Sequence, residues 1–173
     1  MASIGHIAVG LAAGRAFDPD PARSRKAMIF FSLFSLWPDL DVIGFPFGIS
    51  YGHSFGHRGA THSLIAAIVV AWIARILAPR WGLSKNRTAL FTLLVGLSHP
   101  ILDTMTYGGG LGCALFWPIT VQRFWAPIRF IPIAPIGFGL FSWWGLYVMA
   151  IETVLFAPFW LYALRPRRRS GAR

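Results

Sequence analysis

The sequence predicts an all-α fold of the membrane class: an integral membrane helical bundle of about five hydrophobic helices, some of them short. Three observations carry this reading. Only 13% of the residues are charged, about half the share in soluble domains. Aromatic residues reach 16%, with eight Trp and fifteen Phe. The basic residues sit in short connectors between apolar runs, as in loops that flank membrane helices. At 173 residues the chain has one domain's length, divided into a membrane-embedded unit over residues 1–164 and a basic tail over 165–173.

The elements follow in order. The run from about Ser3 to Phe17 lacks the basic stretch that precedes a signal-peptide core, and Arg15 and Asp18 come after it, so it reads as a retained helix. A second run, Ala27 to Trp37, ends or kinks at Pro38. The third, Ser63 to Leu77, has Thr61 as its expected N-cap. The fourth, Thr88 to Leu102, contains Pro100, whose ring opposes the carbonyl of Gly96, a residue able to accommodate a kink. The fifth, Pro135 to Leu164, is the only run long enough to cross a bilayer of about 30 Å unaided at about 1.5 Å per residue. The others need polar ends, a thinned bilayer or partial insertion. Between Tyr107 and Pro135, Gly, Pro and aromatic residues predict a long loop over the outer mouth or in the interface.

The formal charge is +10. Arg15, Arg23, Arg25 and Lys26 follow the first run, Arg75, Arg80, Lys85 and Arg87 the third, and Arg165, Arg167, Arg168, Arg169 and Arg173 the fifth. If all five runs cross, only Arg58, Arg123 and Arg129 lie on the other side. The positive-inside rule then places the N-terminus outside and the C-terminus in the cytoplasm, with the tail against anionic lipid headgroups. Charge held in connectors does not form the single basic face of a nucleic-acid binder. The lone Cys113 excludes an internal disulfide and a Cys-based metal motif.

Six acids and five histidines remain to be placed. Asp18 and Asp20 fall in the first connector. Glu152 lies roughly 24 Å along the last helix by helical rise, a depth that argues against its joining the others unless that helix begins later or is tilted. His6, Asp39, Asp41, His53, His57, His62, His99 and Asp103 all fall at outer helix ends or in outer loops. Apolar packing does not select these residue types, and near lipid they mark function.

Imidazole and carboxylate are the ligands that zinc, manganese and iron share. Without a thiolate, the set suits an open hydrolytic site better than a closed structural one. Seven candidate ligands, His6, Asp39, Asp41, His57, His62, His99 and Asp103, exceed the three of a single catalytic zinc. One or two divalent ions are therefore expected, zinc foremost, with manganese or iron as alternatives.

His99 and Asp103 stand i, i+4 on one helix face, a spacing that equally suits a plain His–Asp hydrogen bond. Asp39 and Asp41 sit at what reads as a helix C-terminus, where the dipole disfavours them; either a cation or water at a polar helix end would answer this. His62 falls in the first turn of the third helix, where the N-terminus keeps its ring neutral. That N-terminus and Arg58 together would attract a phosphate or carboxylate. His53 is a spare ligand or, better, an interfacial residue.

The fragments GHIAVG, PDLD, HRGATHSL, LSHPILD, a Gly-rich turn and FWPIT, in this order over residues 5 to about 119, resemble the YdjM-like family of membrane-bound metal-dependent hydrolases. That family is similar in turn to the zinc-dependent phospholipase C and P1 nuclease group, helical enzymes with clustered zinc ions that cleave phosphoesters. His99 and Asp103 match that group's His-x-x-x-Asp, with Asp39 or Asp41, His57 or His62, and His6 as looser matches. Its second His-x-x-x-Glu element is absent here.

Joined to the residue reading, the resemblance implies a multi-pass inner-membrane hydrolase with its site on the extracytoplasmic face. A metal-activated water would cleave a phosphoester in a lipid or lipid-linked substrate, with catalysis assigned to Asp41, Arg58 and His62. Two readings from other classes stand beside it: a non-enzymatic metal-binding or transport protein, and a membrane-tethered partner-binding protein that uses the Arg-rich tail.

Overall fold

The computed structural model describes residues 3–166. Its helices are α1 (Ile4–Phe17), α2 (Pro21–Phe34), α3 (Leu64–Leu77), α4 (Lys85–Thr104), α5 (Trp143–Leu155) and α6 (Ala157–Leu164). Two short strands, β1 (Thr106–Tyr107) and β2 (Ile131–Pro132), pair in parallel and pin the long loop between them. The all-α membrane bundle expected from composition is what forms.

Helices α1 and α2 make an antiparallel hairpin. Asp20 caps α2 by accepting from the Arg23 amide at 2.8 Å, and Pro21 occupies its first turn. Gly10 and Gly14 face α2 so closely that a Cβ on either would collide with the backbone of Phe31 or Met28. This Gly-x-x-x-Gly spacing is the small-residue contact that lets membrane helices approach. Phe17, Ala27, Phe31 and Val95 fill the space below it.

The lengths differ from the expectation that only the last run could span. Among the described residues, Pro21–Phe47 and Leu64–Trp81 are each long and apolar enough to cross a membrane. Pro38 does not end the second run. It sits in the first turn of a 3₁₀ segment, Trp37–Phe47, that carries the span onward. Asp39 therefore lies in an N-terminal turn, where the local dipole favours it, and not at a helix C-terminus. Helix α4 runs unbroken past Pro100, and Gly96 makes room there for Ala67 of α3.

The fifth run also changes. After a 3₁₀ turn at Gly137–Phe141 it becomes α-helical only at Trp143 and bends by 62° between α5 and α6, with Pro158 in the first turn after the break. Glu152, fully buried, accepts a hydrogen bond from the Gly5 amide at 3.0 Å. It is thus at the same end of the bundle as His6. The depth expected from an unbroken helix starting at Pro135 is corrected by the later start and the bend.

The antiparallel order gathers the start of α1, the 3₁₀ extension of α2, the approach to α3 and the end of α4 at one end. The basic connectors lie at the other. Arg15 there donates to the Ala163 and Arg165 carbonyls, which holds the end of α6 beside the end of α1. Arg167, Arg168, Arg169 and Arg173 of the tail lie outside the described residues.

Candidate metal centre

The loop before α3 turns sharply at Arg58, whose φ of 62° is left-handed, a conformation kept where surrounding contacts over-determine it. The turn sends the Arg58 amide to Asp41 Oδ2 at 3.2 Å and the side chain inward to Asp103, with Nε 3.2 Å from Oδ2. Nη1 donates to Thr106 Oγ1 at 3.1 Å and to the Leu111 carbonyl at 3.2 Å, and the guanidinium lies 5.6 Å from the centre of the Trp125 ring. Both partners of the Arg58–Asp103 pair are 1% exposed.

Three histidines have their Nδ1 hydrogen fixed by an acceptor. His99 Nδ1 donates to the Ser35 carbonyl at 2.7 Å, and His57 Nδ1 to Asp41 Oδ1 at 2.8 Å. Thr61 spends its hydroxyl hydrogen on Asp41 Oδ2 at 2.8 Å, so its oxygen and that carboxylate both accept from His62 Nδ1, at 3.0 and 3.2 Å. Each ring is thereby oriented, with Nε2 left as the ligating nitrogen.

The Nε2 atoms of His62 and His99 are buried and have no hydrogen-bond partner. Both face Asp39 and Asp103. His62 Nε2 is 3.5 Å from each carboxylate; His99 Nε2 is 3.3 Å from Asp39 and 3.8 Å from Asp103. Four ligands at about 2.0–2.1 Å from a tetrahedral ion stand about 3.4 Å apart, so the spacing fits a divalent cation. The four residues each offer a ligand atom within 4.8 Å of all the others. Asp39 is 25% exposed while the rest are buried, so the set is reached from its side.

Asp41, His57 and His62 form a second group of the same compactness. His6 packs behind, its ring stacked on His99 at 3.7 Å and its Nε2 3.6 Å from Asp103 Oδ1. All seven candidate ligands and Arg58 therefore converge. His53 stays apart, with Nδ1 accepting from the Phe55 amide at 3.1 Å.

Three expectations about the start of α3 are corrected. Its cap is Ser63, which accepts from the Ala66 amide at 3.1 Å, and not Thr61. The Leu64 amide is taken by the Leu115 carbonyl at 2.9 Å, so this terminus is closed by the loop and does not offer an anion site. His62 lies in a 3₁₀ turn ahead of the helix and not in its first turn, so the α3 dipole is not what sets its charge. Burial opposes its charge, but the nearby carboxylates of Asp103, Asp39 and Asp41 outweigh burial and push its pKa up to about 10. Three carboxylates around one imidazole demand a cation, and the proton serves where no metal does.

Beside Asp39, His57 and Arg58 lies a pocket of about 460 Å³, bordered by the Gly108–Gly110 turn and by the segment from Ile133 to Leu140. Sequence reasoning missed Thr61, Thr106 and Arg123. Arg123 donates to the Tyr51, His53, His57 and Gly112 carbonyls at 2.8–3.3 Å and so clamps the loop that carries His57 and Arg58. Its one visible signal was a basic residue in an otherwise apolar stretch.

A family model described as YdjM inner membrane protein matches residues 1–169. The chain belongs to this family. It is also 40% identical over 111 residues to the inner membrane protein YbcI of Escherichia coli strain K12, a match covering 64% of this chain and 64% of that relative. The match thus spans a little under two thirds of the relative's length. No solved structure matches the chain. The YdjM family, the candidate membrane helices and the buried His/Asp set together describe a membrane protein with groups able to hold a metal ion.

Proposed function

We propose that this YdjM-family protein is a metal-dependent hydrolase that cleaves a phosphoester in a lipid or lipid-linked substrate. The observation that carries the reading is the pair of buried, partnerless Nε2 atoms of His62 and His99 aimed at the carboxylates of Asp39 and Asp103. Burying such a donor set is costly unless a proton or a metal ion sits among the carboxylates. Mixed imidazole and carboxylate ligands without thiolate favour zinc, with manganese and iron sharing the preference. One ion would be held by these four residues, and a second could sit at Asp41, His57 and His62 only by replacing the Nδ1 hydrogens that Asp41 accepts. A divalent ion held there supplies Lewis acidity and lowers the pKa of water toward neutrality.

The chain's own groups do the rest. Asp41 orients His57 and His62 through their Nδ1 hydrogens, and Arg58 holds Asp103 in place while lining the pocket. Its charge there favours a phosphate group over a neutral ester. The positive-inside bias supports an extracytoplasmic site and a cytoplasmic C-terminus whose arginines meet anionic headgroups.

The test is metal content per chain in purified, detergent-solubilised protein, beside His62→Ala and the double variant His99→Ala/Asp103→Ala, followed by phosphate release from lipid phosphoesters. One or two ions, lost in the variants while helicity persists, together with metal-dependent release, are expected. No metal after loading with zinc, manganese and iron would overturn the reading.

A further inference from the structure

The pocket beside Asp39 has two unlike walls. One is polar, with Asp39, His57 and Arg58; the other is apolar, with Ile133, Ile136 and Leu140. A pocket for a soluble phosphoester would have no use for the second wall. The apolar wall belongs to a stretch without charge: no Asp, Glu, Lys, Arg or His occurs between Arg129 and Glu152. It continues outward into Phe138, Phe141 and Trp143, which are 93%, 72% and 89% exposed. In a membrane protein, large aromatic side chains presented this way belong in the lipid interface.

The wall is fixed in place. Trp144 Nε1 donates to the Ile133 carbonyl at 3.0 Å, and the Ile133 amide bonds to the Tyr107 carbonyl at 2.8 Å. Opposite it, the turn Gly108–Gly109–Gly110 has positive φ throughout, and a Cβ on Gly110 would come within 2.7 Å of Ile133. The absence of side chains there lets the turn lie close against Ile133, so that both border the same pocket.

We infer that Ile133–Leu140 is the subsite for the hydrocarbon chain of an amphiphile that enters sideways from the bilayer, with its phosphate head toward Asp39 and Arg58. This rests on the reading of the centre given above and adds the route and the chain position. A chain leaving lipid for this wall gains little affinity, because lipid tails are as apolar as Ile or Leu. The wall's effect is placement, and placement is what the experiment must read.

The probe is a hexadecyl phosphonate, whose C–P bond resists hydrolysis, carrying a diazirine within its first few chain carbons. It is photolysed with the full chain in lipid nanodiscs, and the label is mapped by peptide mass spectrometry. Labelling of residues 133–140 about tenfold above that by the matching alcohol probe is expected. Excess unlabelled hexadecyl phosphonate should compete, and methylphosphonate should not. Label spread evenly over the lipid-facing helices, no label at all, or equal competition by methylphosphonate would overturn the subsite. Labelling needs no turnover: a protein that labels as expected but releases no phosphate breaks the hydrolase reading alone. One that cleaves soluble and long-chain esters without labelling this wall breaks the subsite alone.

Discussion

At one end of the bundle Arg58 and Asp103 stand 3.2 Å apart, both 1% exposed; at the other, Arg23 approaches Asp18 at 3.5 Å with 69% of its side chain in solvent. The chemistry of the two pairs is the same, and their surroundings are not. A solvated pair forms and breaks at little net cost. A buried pair must offset the desolvation of both charges, and apolar residues of similar volume would often be as stable. The buried end keeps three carboxylates and four histidines that a stability argument alone would replace. The comparison therefore separates residues kept for solubility and orientation from residues kept for a site.

The largest expected effect comes from cutting the buried pair. Asp103→Ala leaves Arg58 uncompensated and removes the acceptor facing His6 and His62, so it should destabilise the fold by about 3–5 kcal/mol. Thermal unfolding in detergent, followed by helical circular dichroism, checks this, and an unchanged midpoint would break the contrast between the two ends. Next in size, His99→Ala removes one of the four donors and should reduce the bound metal to a small fraction of the wild-type ratio, while the α3–α4 pair stays helical. Elemental analysis reads the loss. A variant with full metal would move His99 out of the donor set.

The site was more legible than the fold that carries it. Residue type alone marked the seven His and Asp positions, because such residues are costly near lipid wherever they fall, and alternation of helix direction placed them together. What the sequence hid was geometry that depends on partners. Pro38 as the start of a 3₁₀ segment and Ser63 rather than Thr61 as the α3 cap are choices between neighbouring turns, while the place of Glu152 beside Gly5 is decided by a contact far along the chain. His62 shows the same limit in electrostatics. A local helix dipole suggested a neutral ring, whereas carboxylates from two other elements dominate it. Gly10 and Gly14 carried a readable packing signal, but it bears on the α1–α2 contact and not on the site.

A finer probe of the buried end is Asp41→Asn, which keeps the shape but weakens the acceptor for His57 and His62. Orienting partners of this kind are worth about 10–100-fold in metal affinity, so titration with a zinc-chelating dye should show that loss with the fold intact. An unchanged affinity would mean that Thr61 alone orients His62.

The smallest effect should come from the solvated end. Arg23→Ala removes the ion pairs to Asp18 and Asp20 at 3.5 and 3.9 Å but leaves the backbone amide that Asp20 caps. The helix start therefore survives, and only an exposed pair is lost, so stability should change by less than about 1 kcal/mol with no change in bound metal. If this variant instead lost metal or was destabilised as much as Asp103→Ala, the two ends would be coupled through the α1–α2 hairpin. The close approach at Gly10 and Gly14 would then be the place to look, since it is there that the hairpin could pass a displacement toward His6.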